Sequence, residues 1–132
     1  MRSDKQLKYW YNLINRKFFN GELPTSRVCV RWVNDIEQAK YEDMYFAWTS
    51  NADDFSPEAK KQDNNRHDWA IVISKAKNPG ITAVLATLAH EMCHVATKMR
   101  DDHGPAFEAK RQMIADRGFF KKGAVLKDRT LF

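Results

Sequence analysis

Cysteine is scarce in this chain, with two, Cys29 and Cys93, among 132 residues. Two thiols cannot furnish the four ligands of a structural zinc ribbon, and one bridge is a thin framework for a secreted protein, so both read as free. Glycine and proline are also few, at five and four, and no internal repeat, low-complexity tract or flexible linker interrupts the sequence. No segment approaches the roughly 18 consecutive apolar residues of a membrane-spanning helix. The opening MRSDKQLKYWYNLINRKFF has no apolar block followed by small residues, so no secretory signal is expected and the cytoplasm is the expected compartment.

What is present suffices for one compact core. Hydrophobic residues make up 43% and aromatics 12%, and the length is too short for two cores, so residues 1–132 read as a single domain; a monomer is the expected state. Lys and Arg number 22 against 17 Asp and Glu, and the surplus is uneven. Residues 1–40 carry 8 basic and 4 acidic side chains, residues 41–103 carry 7 and 10, and residues 104–132 carry 7 and 3. Basic ends suit contact with nucleic acid, and equally a solvated surface; charge alone leaves both open.

Hydrophobic spacing supplies the elements. Ser3 or Asp4 can cap a helix whose apolar positions Leu7, Trp10, Tyr11, Ile14 and Phe18 recur at steps of three and four, and Asn20-Gly21 ends it. Val28, Val30 and Trp32 alternate with Cys29, Arg31 and Val33 as in a strand with a buried face, and a second strand is expected near Met44 to Thr49. The polar stretch Asn51 to Asp68 reads as a long loop, although Ser56-Pro57 is a helix-start signal. Trp69 to Ser74 is a short β-branched run ended by the turn Asn78-Pro79-Gly80. From Thr82 to about Arg100, Val84, Leu85, Leu88, Met92, Val95 and Met99 give a helical face, and Pro105 opens a third helix with Phe107, Met113 and Ile114 inward and Gly118 as its stop. The segment Phe119 to Phe132 has no clear pattern. The fold class is α+β, three main helices on a small mixed or antiparallel sheet.

The central helix contains His90-Glu91-Met92-Cys93-His94. Four residues advance a helix by about 400°, so His90 and His94 lie about 40° apart on one face, one turn apart, where two imidazoles can converge on one ion. A catalytic zinc takes three protein ligands and keeps a fourth position for water. Glu91 lies about 100° around from His90, beside the ligands, where a carboxylate can take a proton from that water. A third ligand has to fold back from beyond the helix, and His103-Gly104, nine positions after His94, offers a ligand and a sharp turn together. That spacing differs from H-E-x-x-H-x-x-G-x-x-H, which disfavours a metzincin.

His90 to His94, followed by His103-Gly104-Pro105 and Phe107, resembles the SprT-like zinc metallopeptidases, the group that includes the Spartan proteases of DNA–protein crosslink repair. Tyr11 to Pro24, YNLINRKFFNGELP, is similar to the family's opening helix, which ends in Phe-x-Gly-x-Leu-Pro. Ala70 to Ser74 is similar to the strand before the active-site helix. The resemblance, spread over residues 7–114, implies a zincin-like domain with a sheet beside that helix. It also implies one Zn2+ on His90, His94 and His103, Glu91 as general base and a protein substrate. Larger members often carry a C-terminal zinc ribbon, for which the cysteines are lacking, so the chain resembles the catalytic domain alone.

Other residues admit more than one role. Cys93 could approach the metal or pack as a small hydrophobe. His67, beside Asp68, could meet substrate or lie in a surface loop. Trp32, Trp48 and Trp69 could stack on unpaired bases or fill the core. Lys110, Arg111, Arg117, Lys121, Lys122, Lys127 and Arg129 are candidates for a groove binding DNA phosphates, which would confine an unselective protease to DNA-bound proteins. Three functions follow: a zinc endopeptidase, a non-catalytic DNA-binding module with a structural zinc, and a zinc hydrolase with a non-protein substrate. The carboxylate of Glu91 favours an enzyme, because a structural site needs no general base.

Overall fold

The computed structural model describes residues 3–34, 46–55, 57–100 and 102–120. The first helix, α1 (Asp4–Phe18), is capped by Ser3, whose hydroxyl oxygen accepts the Gln6 amide at 3.2 Å. Its five periodic positions Leu7, Trp10, Tyr11, Ile14 and Phe18 are all buried. The helix ends in a turn with Asn20 and Gly21 both in the left-handed region (φ 55° and 71°), which a glycine enters without steric cost. Buried Asn15 clamps this turn by accepting the Leu23 amide at 3.0 Å and donating to the Leu23 carbonyl at 2.9 Å. The Tyr11 hydroxyl donates to the Pro24 carbonyl at 2.6 Å. The Phe-x-Gly-x-Leu-Pro stretch is thus a helix stop tied back onto its own helix.

Three strands form one sheet: β1 (Val28–Trp32), β2 (Ala47–Asn51) and β3 (Trp69–Ile73), in the order β1-β3-β2. The first pairs parallel with β3 and the second antiparallel, so the sheet is mixed. Val28, Val30 and Trp32 are buried, as their alternation requires. Ile71, Val72 and Ile73 are buried in succession, the signature of a central strand covered on both faces.

The long loop expected over Asn51 to Asp68 is corrected by the structure. A single 3-10 turn (Ala52–Asp54) is followed by a short helix, α2 (Pro57–Asp63). Its sequence PEAKKQD has no apolar stripe, so periodicity could not reveal it; Pro57 at the helix start was the only signal. The second strand lies slightly later than expected, and Met44 lies outside the described residues.

The central helix α3 (Ile81–Ala96) also stops earlier than its apolar spacing suggests. The Thr97 hydroxyl reaches the Cys93 and His94 carbonyls, and Lys98 and Met99 turn left-handed (φ 54° and 59°), which ends the helix despite the continued pattern. The last helix, α4 (Pro105–Asp116), starts at Pro105 behind Gly104 and buries Phe107 and Ile114. Helix α1 lies against β1, α3 against β2 and β3, and α4 against α3. One apolar cluster joins them, from Trp10 and Phe18 through Val30 and Ile71 to Leu88, Met92 and Phe107. No helix among the described residues is long and apolar enough to cross a membrane.

Candidate metal centre

Helix α3 is aimed before it begins. Buried Asn78 donates to the carbonyls of Ser74 and Phe46 at 2.8 and 3.1 Å and accepts the Thr87 hydroxyl at 2.6 Å. One side chain therefore ties the end of β3, the start of β2 and the first half of α3 together. This fixes which face of the helix meets the sheet, and so where its next turns place their histidines.

His90 and His94 come from successive turns of α3, with ring centroids 5.3 Å apart. Beyond the helix, the left-handed residues Lys98, Met99 and Asp102 reverse the chain and return His103 to them. The ring of His103 lies 5.0 Å from that of His90 and 4.9 Å from that of His94, which makes a nearly equilateral triangle. One nitrogen of each ring lies within 4.8 Å of the others, so the three can hold a metal ion. The Nε2 atoms of His90 and His103 are 3.0 Å apart, close to the ~3.3 Å edge of a tetrahedron with metal–nitrogen bonds of about 2.0–2.1 Å. The structure therefore brings together the three histidines singled out in the sequence. Three imidazoles are also a donor set that suits zinc.

The triangle is neither fully buried nor fully open. His94 is buried, while the side chains of His90 and His103 are 43% and 54% exposed. Partial burial, and then the mutual charge of His94 and His103, holds His90 below the usual histidine pKa, which favours the neutral form that binds metal. The Nδ1 of His103 lies 3.4 Å from the Asp102 carboxylate, an outer partner that leaves Nε2 to the centre. Phe107, in the first turn of α4, sits with its ring centroid 4.9, 4.7 and 4.9 Å from those of His90, His94 and His103. The sequence pattern places Phe107 in the core, but its service as the common wall of all three imidazoles follows only from the turn.

Phe107→Ala should remove that wall. The expected result is a loss of about 3–5 kcal/mol in stability, as for other buried Phe truncations, with zinc affinity reduced about 10- to 100-fold, the range for lost outer support. Thermal unfolding of the metal-free variant and a zinc titration against a competing chelator measure the two. Unchanged affinity would dismiss the orienting role.

Glu91 is buried beside the triangle. Its Oε1 accepts the Thr49 hydroxyl at 2.8 Å, and its Oε2 lies 3.9 Å from His90 Nε2. Burial pushes the carboxyl up to about 7, against the opposing pull of the Thr49 bond. Sequence reasoning missed Thr49. A lone polar residue in a strand gives no sign of which face it occupies until the register is known.

The other candidates fall elsewhere. Cys93 is fully buried, and burial pushes its thiol up to about 12, so it packs as a small hydrophobe. His67 Nδ1 meets Asp63 at 2.5 Å and lines a separate cavity of about 340 Å³ with Ala52, Phe55 and Lys60, remote in sequence from α3. Trp32 is buried in the core cluster, and Trp69 packs against it. Of the basic residues, Arg111 ion-pairs with Glu108 at 2.9 Å and Arg117 donates to the Phe18 carbonyl at 2.6 Å. Lys110 is half-buried on α4. Lys121, Lys122, Lys127 and Arg129 lie outside the described residues.

Comparison with known proteins gives one finding. Residues 7–125 match the model of the SprT-like family. No curated protein and no solved structure matches the chain.

Proposed function

Because the chain belongs to the SprT-like family, we propose that it is a zinc-dependent endopeptidase, with the metal on His90, His94 and His103 and Glu91 as general base. One observation carries this reading: a triangle of metal-competent imidazoles with a buried carboxylate at its side. When bound, a zinc ion supplies Lewis acidity and lowers the pKa of water towards 7. The chain's own residues supply the rest. Glu91 accepts the proton of the attacking water and passes it to the departing amine. His90 and His103, on the exposed side of the triangle, leave the centre open to substrate.

A peptide suits the surroundings. Among the described residues the strand nearest Glu91, β2, lies at an edge of the sheet, and an extended peptide can add to a sheet edge through main-chain hydrogen bonds. Action on DNA-bound proteins belongs to the same proposal and rests on the charge pattern alone, since Arg111 and Arg117 already have partners within the fold.

The test is zinc analysis of the purified protein, followed by casein and histone cleavage with and without single-stranded DNA and after chelation. One zinc per chain, with cleavage lost on chelation and restored by zinc, is expected. Stoichiometric zinc and tight, salt-sensitive DNA binding with no cleavage under any condition would overturn the peptidase reading in favour of a binding module.

A further inference from the structure

The register of β2 turns one hydroxyl towards the general base. Thr49 pairs with Ile71 of the central strand, and cross-strand partners point to the same face of a sheet. Ile71 belongs to the apolar cluster beneath the helices, so Thr49 also points inward, and it is buried. A polar side chain on an apolar face is costly unless it finds a partner. The partner of Thr49 lies 42 residues away on α3: its Oγ1 is 2.8 Å from Glu91 Oε1 and 3.3 Å from the main-chain carbonyl of the same residue.

We propose that Thr49 is a positioning residue that holds Glu91 by Oε1, so that Oε2 faces the histidine triangle and exchanges the proton. This rests on the reading of Glu91 as general base and adds the strand residue that orients it. A glutamate side chain has three rotatable bonds, and one hydrogen bond at its tip selects a single orientation among several. The oxygen left free by Thr49 is the one 3.9 Å from His90 Nε2, on the ligand side. The hydroxyl also has an alternative acceptor in the Glu91 carbonyl. It can donate to the carboxylate and, once the carboxyl carries a proton, turn to the carbonyl without losing contact with the base. Valine, of nearly the same shape, has neither capacity.

The experiment compares wild type, Thr49→Val, Thr49→Ser and Glu91→Gln, each loaded with zinc and checked for thermal midpoint and metal content. Thr49→Val is expected to lower kcat about 10- to 100-fold at unchanged KM and zinc stoichiometry, as for loss of a hydrogen bond to a charged group. Thr49→Ser should return kcat to within about threefold of wild type. The second readout needs no activity. In the metal-free protein the side-chain carboxyl carbon of Glu91, identified by its disappearance in Glu91→Gln, should shift in Thr49→Val and return in Thr49→Ser. A carboxyl resonance that does not move in Thr49→Val, or a kcat within about twofold of wild type while Glu91→Gln is inactive, overturns the positioning role and leaves the general base standing. Wild-type turnover in Glu91→Gln overturns the base itself.

Discussion

Glu91→Gln protein should purify with its full complement of zinc and yet hydrolyse peptides at least about a hundredfold more slowly than wild type. The expectation follows from what the substitution changes. Glutamine keeps the length and shape of the side chain, and its amide oxygen can still accept the Thr49 hydroxyl that meets Oε1 at 2.8 Å. The second oxygen becomes an amide nitrogen, which cannot accept a proton. General acid–base groups contribute roughly 10²- to 10⁴-fold, and here one carboxyl is assigned both the uptake and the delivery of the proton. Metal content sits apart, because the proposed donors are the histidine nitrogens, which can hold an ion without Glu91. Steady-state cleavage of casein or histone, alongside metal analysis of the same preparation, decides the matter. A zinc-loaded variant that cleaves as wild type removes Glu91 from the mechanism.

His94→Ala should fail differently, losing metal and activity together. His94 is the buried member of the triangle, its ring 4.7 Å from Phe107 and 4.9 Å from His103. Alanine leaves two exposed imidazoles and a gap against the phenyl ring. Losing an outer support of a metal site costs about 10- to 100-fold in affinity, and losing one of three ligands should exceed that. A competition titration with a chromophoric chelator measures it, and activity should not return when zinc is added at concentrations that saturate wild type. His94→Ala retaining one tight zinc per chain would mean that the ion is held elsewhere. The two variants together separate binding from proton transfer, because one keeps the metal without the chemistry and the other loses both.

The histidine pair and Glu91 could be read from the sequence because a helix converts spacing into direction. Once α3 was expected from Val84, Leu88, Met92 and Val95, the positions 90, 91 and 94 had fixed angular places. His103 was legible for a weaker reason, a ligand type next to a turn. Its return depends on left-handed Lys98, Met99 and Asp102, residue types that do not advertise such a conformation. Strand β1 announced itself by alternation, and β3 by three consecutive β-branched residues. Helix α2 did not, because a seven-residue polar helix has no apolar stripe to betray it. Thr49 and Phe107 were hidden for a common reason. Their roles depend on contacts between elements far apart in the chain, through the β2–β3 register and the angle of α4 against α3. Neither contact leaves a local pattern.

The turn that returns His103 also determines how readily the centre accepts its ion. His103 meets His90 with their Nε2 atoms 3.0 Å apart, so the third donor reaches the centre by way of backbone that carries no ligand itself. A donor held in place loses little conformational entropy on binding, so affinity depends partly on how firmly the left-handed residues Lys98, Met99 and Asp102 keep their conformation. Substitutions at Lys98 or Met99, which carry no ligand atom, therefore act as a dial on metal affinity: those that loosen the path weaken the centre without altering its chemistry.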